Sequence, residues 1–254
     1  MTPRVRVFPD LDRASAALAR HLVERGLEAR KARGRFRWVI SGGRTPVGLF
    51  ARLAGADGRR FPWSDTEVFF ADERCVPPHH PDSNFRSAWE SFLSRVPVRR
   101  SRVHRMRGEL RPPSLAAARY ARTLGAGAPS SPRFDLVLLG IGPDGHTASL
   151  FPGSPAVTEV RRPVVAVPRA GQPPYVPRLT LTPPALSSAR EVCFLVAGAD
   201  KSDAVTGIFR ARPPGDPRFP ASCVQPASPP VWFLDRAAAE GLPSGRALRS
   251  GGRG

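Results

Sequence analysis

Lysine is nearly absent from this chain. Of 39 cationic residues only Lys31 and Lys201 are lysines, and the other 37 are arginines. Cysteine is scarce too. Cys75, Cys193 and Cys223 are odd in number and show no C-x-x-C spacing, so neither a disulfide framework nor a thiolate zinc site is indicated. A reducing compartment fits. Long apolar runs are also missing: stretches such as Leu136-Val-Leu-Leu139 are strand-sized and far short of the roughly 20 residues of a membrane helix. The first residues, Met1 to Asp10, lack the uninterrupted apolar stretch of a signal peptide. Cytoplasm is the expected location, with no membrane partner.

What is present suits one α/β domain. The chain has 254 residues and is 41% hydrophobic, enough to bury a substantial core. The net charge of +18 would draw polyanions. The arginines, however, are spread along the chain without a dense run or interleaved aromatics. With 30 prolines beside them, this reads as coding bias and a solvated basic surface, and no nucleic-acid partner is expected.

Short apolar runs alternate with helical patterns. Strands are expected at 4–8, 36–40, 67–71, 134–141, 164–167, 179–182, 192–197 and 231–234. Several are continuously apolar, as strands buried on both faces are. Helices are expected at 11–32, 46–54, 84–94, 114–124 and 201–209. The alternation argues for βαβ units in a mostly parallel open sheet flanked by helices. Residues 211–230 read as a proline-rich loop, 1–240 as a single domain, and 241–254 as a disordered tail.

Ligands of such sheets bind beyond the carboxyl ends of the strands, so the loops there carry the chemistry. The first is Ser41-Gly-Gly-Arg-Thr-Pro46. Gly42 and Gly43 can turn backbone N–H groups toward an anion, Thr45 can cap the following helix, and Pro46 suits its first position. Arg44 either adds charge or points to solvent. The second is Ala71-Asp-Glu-Arg-Cys-Val-Pro77, then Asp82-Ser-Asn84. Asp72, Glu73 and Arg74 form either a plain charged turn or buried acid–arginine pairs with shifted pKa values. Ser83 or Asn84 caps the next helix. His79 and His80 have no further metal ligands at suitable spacing.

The third loop is Gly140-Ile-Gly-Pro-Asp-Gly-His-Thr-Ala-Ser-Leu-Phe-Pro152. His146 alone among five histidines follows a buried strand in a glycine-rich turn. An imidazole in such a turn can act as a general base. Asp144 can orient its ring, hold its tautomer or contact substrate. The fourth group is Arg178, at a strand start, with Lys201 at a helix start. A cation there conflicts with the helix dipole unless an anion is bound.

Together these four groups resemble the 6-phosphogluconolactonase family. Ser-Gly-Gly-x-Thr-Pro, Asp-Glu-Arg-x-Val-Pro with Ser-Asn, Gly-x-Gly-x-Asp-Gly-His-Thr-Ala-Ser-Leu-Phe-Pro-Gly and Arg-x-Thr-Leu-Thr match it in order and spacing over 36–235. The first and fourth are shared with a superfamily that includes glucosamine-6-phosphate deaminases. The resemblance implies a modified Rossmann-like fold, no cofactor and no metal. It implies a phosphorylated sugar lactone as substrate, 6-phospho-D-glucono-1,5-lactone, opened to 6-phosphogluconate in the oxidative pentose phosphate pathway. His146 would activate water, Asp144 would position it, and Arg74 would contact the lactone or its phosphate end. Gly42, Gly43, Arg44 and Thr45 would hold phosphate with Arg178 and Lys201, and Asp72 and Asn84 would join the substrate contacts. The rival readings are a deaminase-like isomerase and a non-catalytic sugar-phosphate sensor. Deaminases carry Asn-Glu where this chain has Leu150 and Phe151.

Overall fold

The computed structural model describes residues 4–125, 134–212 and 215–243, together with the backbone of 248–249. The tail expected over 241–254 falls for the most part outside them. Strands β1 (Arg4–Phe8), β2 (Phe36–Ile40), β3 (Thr66–Phe70), β4 (Asp72–Arg74), β5 (Val103–His104), β6 (Leu136–Leu139), β7 (Val164–Val167), β8 (Arg178–Leu181), β9 (Glu191–Val196), β10 (Val231–Asp235) and β11 (Leu248–Arg249) follow in chain order. Helices are α1 (Leu11–Arg33), α2 (Val47–Ala54), α3 (Asn84–Ser91), α4 (Pro113–Thr123), α5 (Pro183–Ser187) and α6 (Ser202–Arg210).

Local signals explain the longest helix. The Asp10 carboxylate accepts from the N–H of Arg13 at 2.8 Å, and Gly34 closes α1 in the left-handed region at φ 67°. Its apolar stripe of Ala14, Leu18, Ala19 and Leu22 is fully buried. His21 of the same helix lies 2.9 Å from Glu191, the first residue of β9, and pins α1 across the amino edge of the sheet. The central strands β6, β9 and β10 are apolar on both faces because helices cover both.

The large sheet is parallel throughout, in the order β11-β1-β10-β9-β6-β2-β3-β5. From β2 the chain steps outward through β3 to β5. It then returns to β6 on the other side of β2 and steps through β9 to β10. The direction of winding therefore reverses between β2 and β6. That switch point is where an open α/β sheet leaves a crevice, and it holds the Ser41–Pro46 and Gly140–Pro152 loops side by side.

Two strands expected within the parallel set lie elsewhere. β7 and β8 form a small antiparallel sheet with β4. The stretch after β3, expected as a loop, is itself β4. Ala71 is the hinge: its N–H donates to Ile40 of β2 at 2.9 Å, and its carbonyl accepts from Leu181 of β8 at 2.8 Å. The chain leaves one sheet and enters the other within one residue. Side-chain alternation then puts Asp72 and Arg74 on one face and Glu73 on the other.

Candidate active site

The loops after β2, β6 and β9 meet the small sheet around a concavity of about 350 Å³. Every residue expected at the site lines it except Asp144, which stands behind His146.

His146 is fixed by its own loop. Its Nδ1 lies 2.6 Å from Oδ1 of Asp144, and the same oxygen accepts its backbone N–H at 3.1 Å. The Asp144 carboxyl is pushed up by burial, but the hydrogen bond and charge of His146 outweigh that and leave it at about 2. An ionised Asp144 holds the proton on Nδ1, so Nε2 is the nitrogen with a free lone pair. The loop's shape needs glycine at one point above all. A Cβ at Gly142 would fall 2.0 Å from Nδ1 of His146 and 2.7 Å from Oδ1 of Asp144. The Phe151 ring packs on the imidazole at 4.9 Å between centroids. Ala148 adopts φ 48°, a strained conformation for a residue with a Cβ, in the turn where Leu150 donates to the Thr147 carbonyl at 2.9 Å.

The Asp-Glu-Arg run separates into three roles. Asp72 is buried and takes hydrogen bonds from Ser149 Oγ at 2.6 Å and Asn84 Nδ2 at 3.0 Å. Glu73 faces away from the concavity and accepts from the backbone N–H groups of Arg74, Asn84 and Phe85 and from the Ser83 hydroxyl, at 2.6–3.0 Å. Burial raises its pKa while those three backbone donors oppose. Arg74 reaches into the concavity and donates to the Asp82 carbonyl at 2.6 Å. No acid–arginine ion pair forms within the run. Alternation on β4 separates Glu73 from Arg74, and Asp72 is already held by two neutral donors. Ser83, not Asn84, is the helix cap, accepting from Arg86 at 3.2 Å.

Arg178 is 3% exposed, and its guanidinium donates to the carbonyls of Gln172, Pro174 and Val176. Burial lowers its pKa, and the charge of Arg74 adds to the effect while Asp72 opposes it. Lys201 closes a short turn before α6 and lies 2.8 Å from Asp200. Gly42 approaches Asn84 so closely that a Cβ would meet its Oδ1 at 2.0 Å. Gly43 has φ 94°, and Arg44 is exposed at the rim. Thr45 does not cap α2: Pro46 is the cap residue, and no side chain bonds the first turn. The carbonyl of Arg44 instead accepts from Val47 at 3.3 Å in a tight turn.

This chain resembles known proteins over nearly its whole length. Residues 9–232 match the family model described as glucosamine-6-phosphate isomerases/6-phosphogluconolactonase. The chain belongs to that family. A 6-phosphogluconolactonase of Streptomyces coelicolor is 38% identical over 252 residues, 95% of each chain. One of Synechocystis is 41% identical over 215 residues, covering 83% of this chain and 86% of its own. The crystal structure of 6-phosphogluconolactonase from Thermotoga maritima superposes with a TM-score of 0.80 at 30% identity, covering 92% of this chain and 99% of that one.

Several residues of this family member escaped the sequence reading. Ser149 joins the His146 loop to Asp72, but an ordinary serine in a small-residue run carries no signal. Gln172 donates to Oδ2 of Asp144 at 3.4 Å from a loop 28 residues away, which no local pattern reveals. Phe219 belongs to the proline-rich stretch and packs against Gly145, while Ala221 donates to the Gly145 carbonyl at 3.0 Å.

Proposed function

We propose that the protein hydrolyses 6-phospho-D-glucono-1,5-lactone to 6-phosphogluconate, with His146 as general base. The observation that carries this reading is His146 in the wall of a concavity rich in cations, held from behind by Asp144 at 2.6 Å. Relatives named 6-phosphogluconolactonase at 38–41% identity support the same substrate.

The chemistry follows from the arrangement. Nε2 of His146 takes a proton from water, and the resulting hydroxide attacks the lactone carbonyl carbon C1. Asp144 stabilises the imidazolium that forms. Arg74 faces the negative charge that develops on the carbonyl oxygen. Collapse of the tetrahedral intermediate breaks the bond from C1 to the ring oxygen, which takes the proton back from Nε2 and leaves as the C5 hydroxyl. The new carboxylic acid then ionises. A δ-lactone is an activated ester, so the ~10²–10⁴-fold of a single positioned base suffices. The Gly42–Thr45 turn, Arg178 and Lys201 hold the phosphate through backbone N–H groups and charge.

The deaminase reading has less support. Leu150 and Phe151 are buried apolar residues where that reaction would require a carboxylate, and the Phe151 ring occupies the space beside His146. The test is hydrolysis of freshly prepared lactone by wild type and His146→Ala against the spontaneous rate. Equal rates for the two proteins would sink the proposal. Ammonia release from glucosamine 6-phosphate would revive the alternative.

A further inference from the structure

One segment of the chain carries more charge than its neighbours, and the fold places it on a sheet edge. Between Arg95 and Arg122 lie nine arginines and a single acid, Glu109. This segment wraps the edge strand β5 and continues into α4, at the far side of the large sheet from β1.

Two concavities flank β5. One, of about 460 Å³, is lined by Arg105, Arg107, Arg119 and Arg122 with Tyr120 and Thr123. Glu109 is consumed there by a two-point pairing with Arg105 at 2.8 and 2.9 Å. Arg107, Arg119 and Arg122 are exposed and have no ion pair among the described residues. The second, of about 530 Å³, is lined by Arg33, Arg35, Arg102 and Glu67. Glu67 is already within 3.3 Å of Arg37, and Arg33 already pairs with Asp135. Unpaired arginines therefore face solvent at both ends of the strand. Arg102 and Arg105 flank the two-residue strand and are at most about 10 Å apart at the rise of extended chain. The two concavities share no lining residue, so a single phosphate contacts the arginines of one, and a chain of phosphates can contact those of both.

Ring faces at this edge are already covered. Arg100 lies 5.0 Å over Trp89, and Arg105 lies 5.8 Å from the Phe85 ring. Base stacking, the usual second component of single-strand recognition, has no exposed aromatic platform at this edge among the described residues. Charge and spacing remain.

We propose that the β5 edge binds linear chains of phosphate groups, recognised through their charge. The test titrates inorganic polyphosphate, and separately an oligouridylate RNA of equal charge, into three proteins. These are wild type, R107Q/R119Q/R122Q, and a control, R20Q/R161Q/R236Q, which loses the same charge from surfaces outside both concavities. Circular dichroism and the thermal midpoint check that all three are folded. At about 0.1 M salt the edge variant should bind at least tenfold more weakly, and its log K against log salt should flatten by about 2. The control should match wild type. Edge-dependent binding of polyphosphate alone assigns the site to free phosphate chains, and equal edge-dependent binding of RNA assigns it to phosphodiester backbones. Loss in the control equal to loss in the edge variant, or no binding of either polymer, overturns the proposal.

Discussion

Arg74 and Arg178 are direct partners on neighbouring antiparallel strands. Cross-strand partners of like charge repel, and these two sit with side chains roughly 5 Å apart at their Cβ atoms. No carboxylate forms an ion pair with either among the described residues, although Asp72 lies close by. An anionic substrate placed between them removes the conflict. Arg178→Gln should therefore raise KM by about 10–100-fold, the value of one charge-assisted hydrogen bond, whereas Arg74→Gln should also lower kcat, because Arg74 faces the charge that develops on the carbonyl oxygen. At 100 times its Kd the product should stabilise wild type by about 2.7 kcal/mol, raising the thermal midpoint by roughly 5–10 °C. Calorimetry with and without product checks this. An undiminished shift in Arg178→Gln would refute the phosphate role of that residue.

Gly142→Ala should separate positioning from binding. The new Cβ meets Nδ1 of His146 at 2.0 Å and Oδ1 of Asp144 at 2.7 Å, so the pair must move by about an ångström. Such a displacement costs about 10²-fold in rate. The proposed phosphate contacts are on other loops, so kcat should fall while KM changes little. Steady-state kinetics on the lactone provide the check.

The sequence carried the site better than it carried the sheet. The glycine turns at 42–43 and 140–145 were legible because positive φ and close backbone approach restrict the residue type. His146 stood out because, alone among the five histidines, it follows an apolar strand in a glycine-rich turn. β4 was not legible: Asp72-Glu73-Arg74 are three charged residues with no apolar alternation, and only pairing with β8 makes them a strand. The division of labour inside that run was hidden for the same reason, since it depends on which face of β4 each side chain takes. Thr45 has the right residue type for a cap, but the tight turn at Arg44 moved the helix start past it.

Asp144→Asn should lower kcat by about 10²–10³-fold, because the amide can present its N–H to Nδ1 and favour the wrong tautomer. It should also change acid stability in a defined window. The Asp144 carboxyl falls from 3.8 to about 2 on folding. A depressed folded pKa means the stabilisation is complete above about pH 4 and is lost as pH falls toward 2. The stability difference between wild type and Asp144→Asn should therefore shrink across that interval. Denaturant midpoints at pH 4.5, 3 and 2 measure it, and a constant difference would show that the carboxylate makes no pH-dependent contribution.

Glu73→Ala should act through structure rather than chemistry. Glu73 is 2% exposed and satisfies three backbone N–H groups, two of them in the first turn of α3. Truncation leaves those donors buried without partners, at about 1–3 kcal/mol for each that water does not reach. A total near 3 kcal/mol would lower the thermal midpoint by roughly 6–12 °C. α3 also carries Asn84, which donates to Asp72 and abuts Gly42, so a loosened helix end should disturb the concavity from behind. KM should rise, while kcat at saturating lactone stays near wild type because the His146–Asp144 pair is built by a separate loop. Kinetics paired with thermal unfolding distinguish this from a direct catalytic role: a kcat loss of the size seen for Asp144→Asn, in a protein of unchanged midpoint, would place Glu73 in the chemistry instead.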